Sequence, residues 1–111
     1  MIKITFHKNS DGALYSFTSS GHAGYDSYGK DIICSAVSVL AINTANAIES
    51  FTKDSIEAEV DESEGYLHFE FTSSVSSESV LLMNTLLLGV SGISEEYGSK
   101  YVKVTVTEEN M

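Results

Sequence analysis

Two residues in this chain have the chemistry for nucleophilic catalysis. Cys34 is the sole cysteine and lies in the run Ile32-Ile33-Cys34-Ser35-Ala36-Val37; His22 precedes it in the glycine-bearing segment Gly21-His22-Ala23-Gly24. A lone cysteine cannot close a disulfide within its own chain, so it is either a small core side chain or a working thiol. A thiol works as a nucleophile when an imidazole can take its proton, because the thiolate is the reactive form. His22 is placed to do that, or else is a solvated loop histidine. Asp31 lies between them and has two possible jobs: capping the helix that carries Cys34, or orienting the imidazole as the third group of a triad-like arrangement. Ser38 follows Cys34 by one helical turn, and Ala41 and Ala45 continue a strip of small side chains. That strip either floors a substrate groove or lets the helix pack closely.

The elements around these residues follow from periodicity. Ile2, Ile4 and Phe6 alternate with polar residues, Asn9-Ser10-Asp11-Gly12 supplies a turn, and Tyr15 and Phe17 continue a second strand, which makes a hairpin. Gly21 to Lys30 has three glycines and no apolar period and reads as a loop. Apolar residues then recur at helical spacing from Asp31, the expected N-cap, to Phe51. That cap places Cys34 in the first turn, where unpaired backbone N–H groups stabilise a thiolate and, together with the N–H of Cys34 itself, suit an oxyanion. A second apolar stripe, Ile32, Ala36, Val39 and Ile42, calls for deep burial or a partner subunit.

Ile56, Ala58 and Val60 alternate with acids, Glu64-Gly65 turns the chain, and Leu67, Phe69 and Phe71 form the returning strand. Ser76 or Ser77 caps a second helix that runs to about Tyr97, with Gly98 at its C-terminal cap, and Val102, Val104 and Val106 form a last strand. The order ββαββαβ with alternating strands predicts an α+β two-layer domain over residues 1–111, one sheet packed by two helices.

Composition excludes several functions. Six basic against sixteen acidic residues give a net charge of −10 with no basic cluster, so direct nucleic-acid binding is not expected and basic peptides or proteins are the natural partners. The N-terminus lacks the pattern of a secretory signal, and the apolar runs Ile32 to Ile48 and Val80 to Ile93 read as too short or too polar to span a bilayer; a cytoplasmic location is expected. Zinc-type spacing of His and Cys is missing, and Gly21-His22-Ala23-Gly24 lacks the length and lysine of a phosphate loop, so no metal or cofactor is expected. His7 and His68 fall on polar strand positions and read as surface residues, and Glu57 to Glu64 as a solvated strand face and turn. A redox-sensing thiol would have no resolving cysteine within the chain.

Gly21-His22-Ala23, Gly29, Asp31, Cys34 and Ser38, with the helix Leu40 to Glu49 bearing Asn43 and Asn46, resemble the ribosomal-processing cysteine protease family of Firmicutes and related bacteria. The similarity covers nearly the whole chain. Ser35 departs from it, standing where a small apolar residue is expected. The resemblance implies a small α+β homodimer that removes an N-terminal extension from the twenty-seventh large-subunit ribosomal protein, cutting after an aromatic residue. It implies His22 and Cys34 as the dyad, Gly21, Asp31 and Ser38 as supporting or substrate-binding residues, and the Gly21 to Lys30 segment as a mobile cover. A basic ribosomal substrate suits the −10 charge. The contrasting expectation, from another class, is a non-catalytic module that docks on a basic ribosomal protein during assembly.

Overall fold

A computed structural model describes residues 1–22 and 30–108. The chain runs β1 (Ile2–Lys8), β2 (Leu14–Ser20), α1 (Lys30–Phe51), β3 (Ile56–Asp61), β4 (Tyr66–Phe71), α2 (Ser77–Tyr97) and β5 (Val102–Glu108). The order ββαββαβ is the expected one. The strands form one sheet in the order β3-β4-β2-β1-β5, antiparallel except where β5 joins β1 in parallel.

Alternation along the strands places one apolar row after another on the helix-facing side. Phe6 pairs with Phe17, and Phe17 with Phe69, across β1, β2 and β4. Their rings meet edge-to-face at 5.3 Å and stacked at 5.4 Å, an aromatic bar through the centre of the core. Onto this bar α1 sets Ile33, Val37, Ala41 and Ile48, and α2 sets Met83, Leu86 and Val90, all buried. These spacings are one face of each helix, which is why a sheet face and two helical stripes suffice for the core.

The second helix begins where serine chemistry allows it. Ser76 is the N-cap, its hydroxyl accepting from the Ser79 N–H, while Asp54 accepts from the Ser76 N–H at 2.9 Å and from the hydroxyls of Ser76 and Ser79 at 2.6 Å each. Burial alone would raise the Asp54 carboxyl, but these hydrogen bonds outweigh it and hold the group below its ordinary range. Gly98 closes the helix at a φ of 104°, its N–H donating to the Ser94 carbonyl at 2.8 Å.

Three expectations are revised. The first helix starts at Lys30, so Asp31 lies inside it and is not its cap; the side chain of Asp31 lies outside the described residues, as do positions 23–29 of the expected loop and cover. The helical stretches Ile32–Phe51 and Ser77–Tyr97 extend past the apolar runs, and at 20 and 21 residues with mean hydropathies of 1.5 and 1.2 they reach the length and composition of a membrane-crossing helix. Each nonetheless lies along the sheet with a buried face. His7 and His68 are on the outer sheet face, but neither is a bare surface group: His7 Nδ1 lies 2.5 Å from Thr107 Oγ1, and His68 lies 2.7 Å from Thr18 Oγ1 and 2.9 Å from Glu70.

Candidate active site

At one end of the sheet β1 begins, β2 ends, and β4 begins beside β2, because β2 and β4 are antiparallel and paired from Ser19 opposite Leu67. The start of α1 comes over the same end. Between them lies a cavity of about 330 Å³ lined by Ile2, Ser19, Gly21, His22, Cys34, Val37, Ser38, Ile42, Val60, Glu62, Gly65, Tyr66 and Leu67. Four of the five residues singled out from sequence, Gly21, His22, Cys34 and Ser38, therefore face one space.

Each arrives there for a local reason. Cys34 is half-buried, one residue after the buried Ile33 and three before the buried Val37, at the margin of the core-facing stripe of α1. Ser38, one turn on, is exposed. His22 is exposed and lies two residues past the end of β2. Gly21 makes that possible: its φ of 92° is left-handed, and a side chain on it would strike the Met1 carbonyl at the start of β1. The chain can thus leave β2 tightly against its neighbour and present His22 to the cavity.

A helix starting at Lys30 places Cys34 in the second turn. Its N–H then faces the Lys30 carbonyl in the helical ladder and is not among the unpaired donors of the helix start, which revises the expectation that this N–H binds an oxyanion.

The β3–β4 turn is the part of the site that sequence reading missed, having taken it for solvated turn. Asp61 opens it, accepting from the Ser63 N–H at 3.1 Å, the Ser63 hydroxyl at 2.7 Å and the Glu64 N–H at 3.3 Å. The Ser63 hydroxyl and the backbone donors favour the charged form and hold this carboxyl below its ordinary range. Gly65 ends the turn at a φ of 62°, directly against the preceding segment: a Cβ there would lie 2.6 Å from the Gly21 carbonyl oxygen, 2.9 Å from His22 Cε1 and 3.0 Å from His22 Nε2. Glu62 from the same turn and Tyr66 at the start of β4 complete the wall. The Glu64-Gly65 pair signalled a turn in the sequence, but nothing local signalled its neighbour.

A second cavity of about 260 Å³ continues from the first, sharing Ile42, Val60 and Leu67 with it and adding Ala41, Ala45, Asn46, Glu49, Ile56, Ala58 and Phe69. The small side chains of α1 thus floor a groove between the helix and β3. On that side Val60 is 57 % exposed, because α1 does not cover the edge strand. Among the described lining residues, His22 is the sole basic group and Glu62 the sole carboxylate near Cys34, and His22, Cys34 and Glu62 do not gather into a metal-binding group.

The sequence profile of the family described as cysteine protease Prp matches residues 1–103. The chain belongs to the Prp family of cysteine proteases. Ribosomal processing cysteine protease Prp of Staphylococcus aureus is 29 % identical over 97 residues, covering 87 % of this chain and 92 % of the relative, and that of Bacillus subtilis is 27 % identical over 101 residues, covering 87 % and 90 %. The crystal structure of the S. aureus Prp with a covalently linked product peptide superposes with a TM-score of 0.86 at 26 % identity, over 96 % of this chain and 99 % of that one. A Streptococcus mutans protein superposes with a TM-score of 0.84 at 31 % identity, over 98 % and 96 %. The α+β fold is that of Prp, and the chain is a cysteine protease with a single cysteine, Cys34.

Proposed function

We propose that the chain is an endopeptidase that removes the N-terminal extension of the twenty-seventh large-subunit ribosomal protein, with Cys34 as nucleophile and His22 as general base. The observation that carries this reading is the shared cavity: the sole cysteine and a histidine from a different element line one space, which opens into an apolar groove. The S. aureus relative with a covalently linked product peptide supports thiol chemistry on a peptide in this fold.

His22 takes the thiol proton as the Cys34 sulfur attacks the scissile carbonyl. Collapse of the tetrahedral intermediate breaks the peptide C–N bond, the imidazolium gives its proton to the leaving amine, and a thioester remains on Cys34. Water, deprotonated by His22, hydrolyses the thioester and restores the thiol. The groove along Ser38, Ala41, Ile42 and Ala45 suits an extended apolar segment with an aromatic side chain at the cut, and Gly21 holds the backbone that presents His22. A basic ribosomal precursor is drawn to a −10 enzyme. The same substrate puts the enzyme in the cytoplasm, and the outward apolar residues Ile32 (60 % exposed) and Val39 (65 %) of α1 favour a homodimer.

The test is to incubate the protein with the full-length precursor and weigh the products, beside a Cys34→Ala control. One cut near the precursor's N-terminus, lost in the control, supports the reading; binding without a cut overturns it in favour of a docking module.

A further inference from the structure

We infer that Gly65, in the β3–β4 turn, is a positioning residue for the general base: its missing side chain is the seat of the His22 imidazole. The inference rests on the reading of His22 as the base of Cys34. A Cβ at position 65 would stand 2.9 Å from Cε1 and 3.0 Å from Nε2 of His22 and 2.6 Å from the Gly21 carbonyl oxygen. Ordinary carbon contacts lie at about 3.5–4.0 Å, so the ring and the turn could not both stay. The carbonyl is backbone just past the end of β2, running so close to β1 that a Cβ on Gly21 would lie 2.4 Å from the Met1 carbonyl oxygen, so it gives less readily than a side chain. The ring is the part able to move. His22 is exposed, and the turn backbone at Gly65 limits its imidazole on this side.

Gly12 provides the internal control. Its φ of 83° is also left-handed, but nothing lies within 4 Å of a Cβ built on it. Gly12→Ala therefore carries the backbone strain without the collision. Gly65→Asn separates the same two effects at the site, since Asn tolerates the left-handed region yet brings a larger side chain.

The experiment measures kcat and KM on a precursor-derived peptide, and the rate–pH profile of Cys34 alkylation by iodoacetamide, for wild type, His22→Ala, Gly65→Ala, Gly65→Asn and Gly12→Ala. The expected result is a fall in kcat on the order of a hundredfold for both Gly65 variants, the size associated with misplacement of a catalytic group by about 1 Å, with KM little changed and an alkylation profile displaced toward that of His22→Ala. Gly12→Ala should match wild type in both assays. If Gly65→Asn restores activity, or the Gly65 variants keep the wild-type profile while His22→Ala changes it, Gly65 does not seat the ring and the dyad stands. If His22→Ala leaves the profile unchanged, the dyad reading itself fails and the positioning role with it.

Discussion

The two hairpin turns of this protein are built alike and do different work. In the β1–β2 turn Asn9 Oδ1 accepts from the N–H groups of Asp11 and Ala13, and Gly12 closes the turn at a φ of 83°. In the β3–β4 turn Asp61 Oδ1 accepts from the N–H groups of Ser63 and Glu64, and Gly65 closes it at a φ of 62°. Both use a short polar side chain to mimic a backbone turn and a glycine to supply the left-handed residue. The first projects into open space, whereas the second rests on Gly21 and His22. Local chemistry makes a turn, and strand order decides whether that turn touches the site.

The comparison is sharpest at the residue the second turn supports. His22→Ala should lower kcat/KM by roughly 10²–10⁴-fold, the usual contribution of a general base, while Asn9→Ala in the other turn leaves it at the wild-type value; steady-state assays on one precursor peptide check both. Removing the turn-opening side chains is expected to separate them next. Asn9→Ala should cost about 1 kcal/mol of stability, the scale of a hydrogen bond, without kinetic effect, whereas Asp61→Ala loosens the wall behind His22 and should lower kcat/KM several-fold. Equal kinetic effects from these two would break the comparison.

Acid separates the turns further, since Asn9 does not titrate. The folded-state value of Asp61 is below its ordinary 3.8, so its contribution is present above that pH and is lost as pH falls through the lowered folded value. Amide exchange should therefore speed up at Ser63 and Glu64 in strong acid while Asp11 and Ala13 show no matching step. The smallest effect belongs to Glu62, which faces the cavity. Glu62→Gln should slow cleavage of a lysine-bearing peptide by roughly twofold to threefold at low ionic strength, and the difference should fade in about 1 M salt, where the Debye length is about 3 Å. An unchanged salt dependence would remove any role for Glu62 in drawing basic substrates.

Much was legible from periodicity and end signals. Ser76 and Gly98 bounded the second helix because hydroxyl caps and left-handed glycines act within one turn of the chain. The start of α1 was read one residue late, since Asp31 has good capping chemistry and nothing nearby argued against it. Cys34 and His22 were recognisable from residue type and from the pattern they form with Gly21, Asp31 and Ser38. Of these, the side chain of Asp31 lies outside the described residues.

By itself, then, the sequence determined the element order and the buried faces, and singled out Cys34 and His22 as candidate reactive side chains, because these depend on residue type and on neighbours within a few residues. Tertiary structure alone decided that β4 inserts beside β2. That pairing brings the Glu62–Gly65 turn to the end of β2, turns an acidic loop into a wall of the cavity, and leaves the edge of β3 uncovered to continue the groove. Contacts between residues more than forty positions apart leave no local pattern; they exist only once the antiparallel register of β2 and β4 is set.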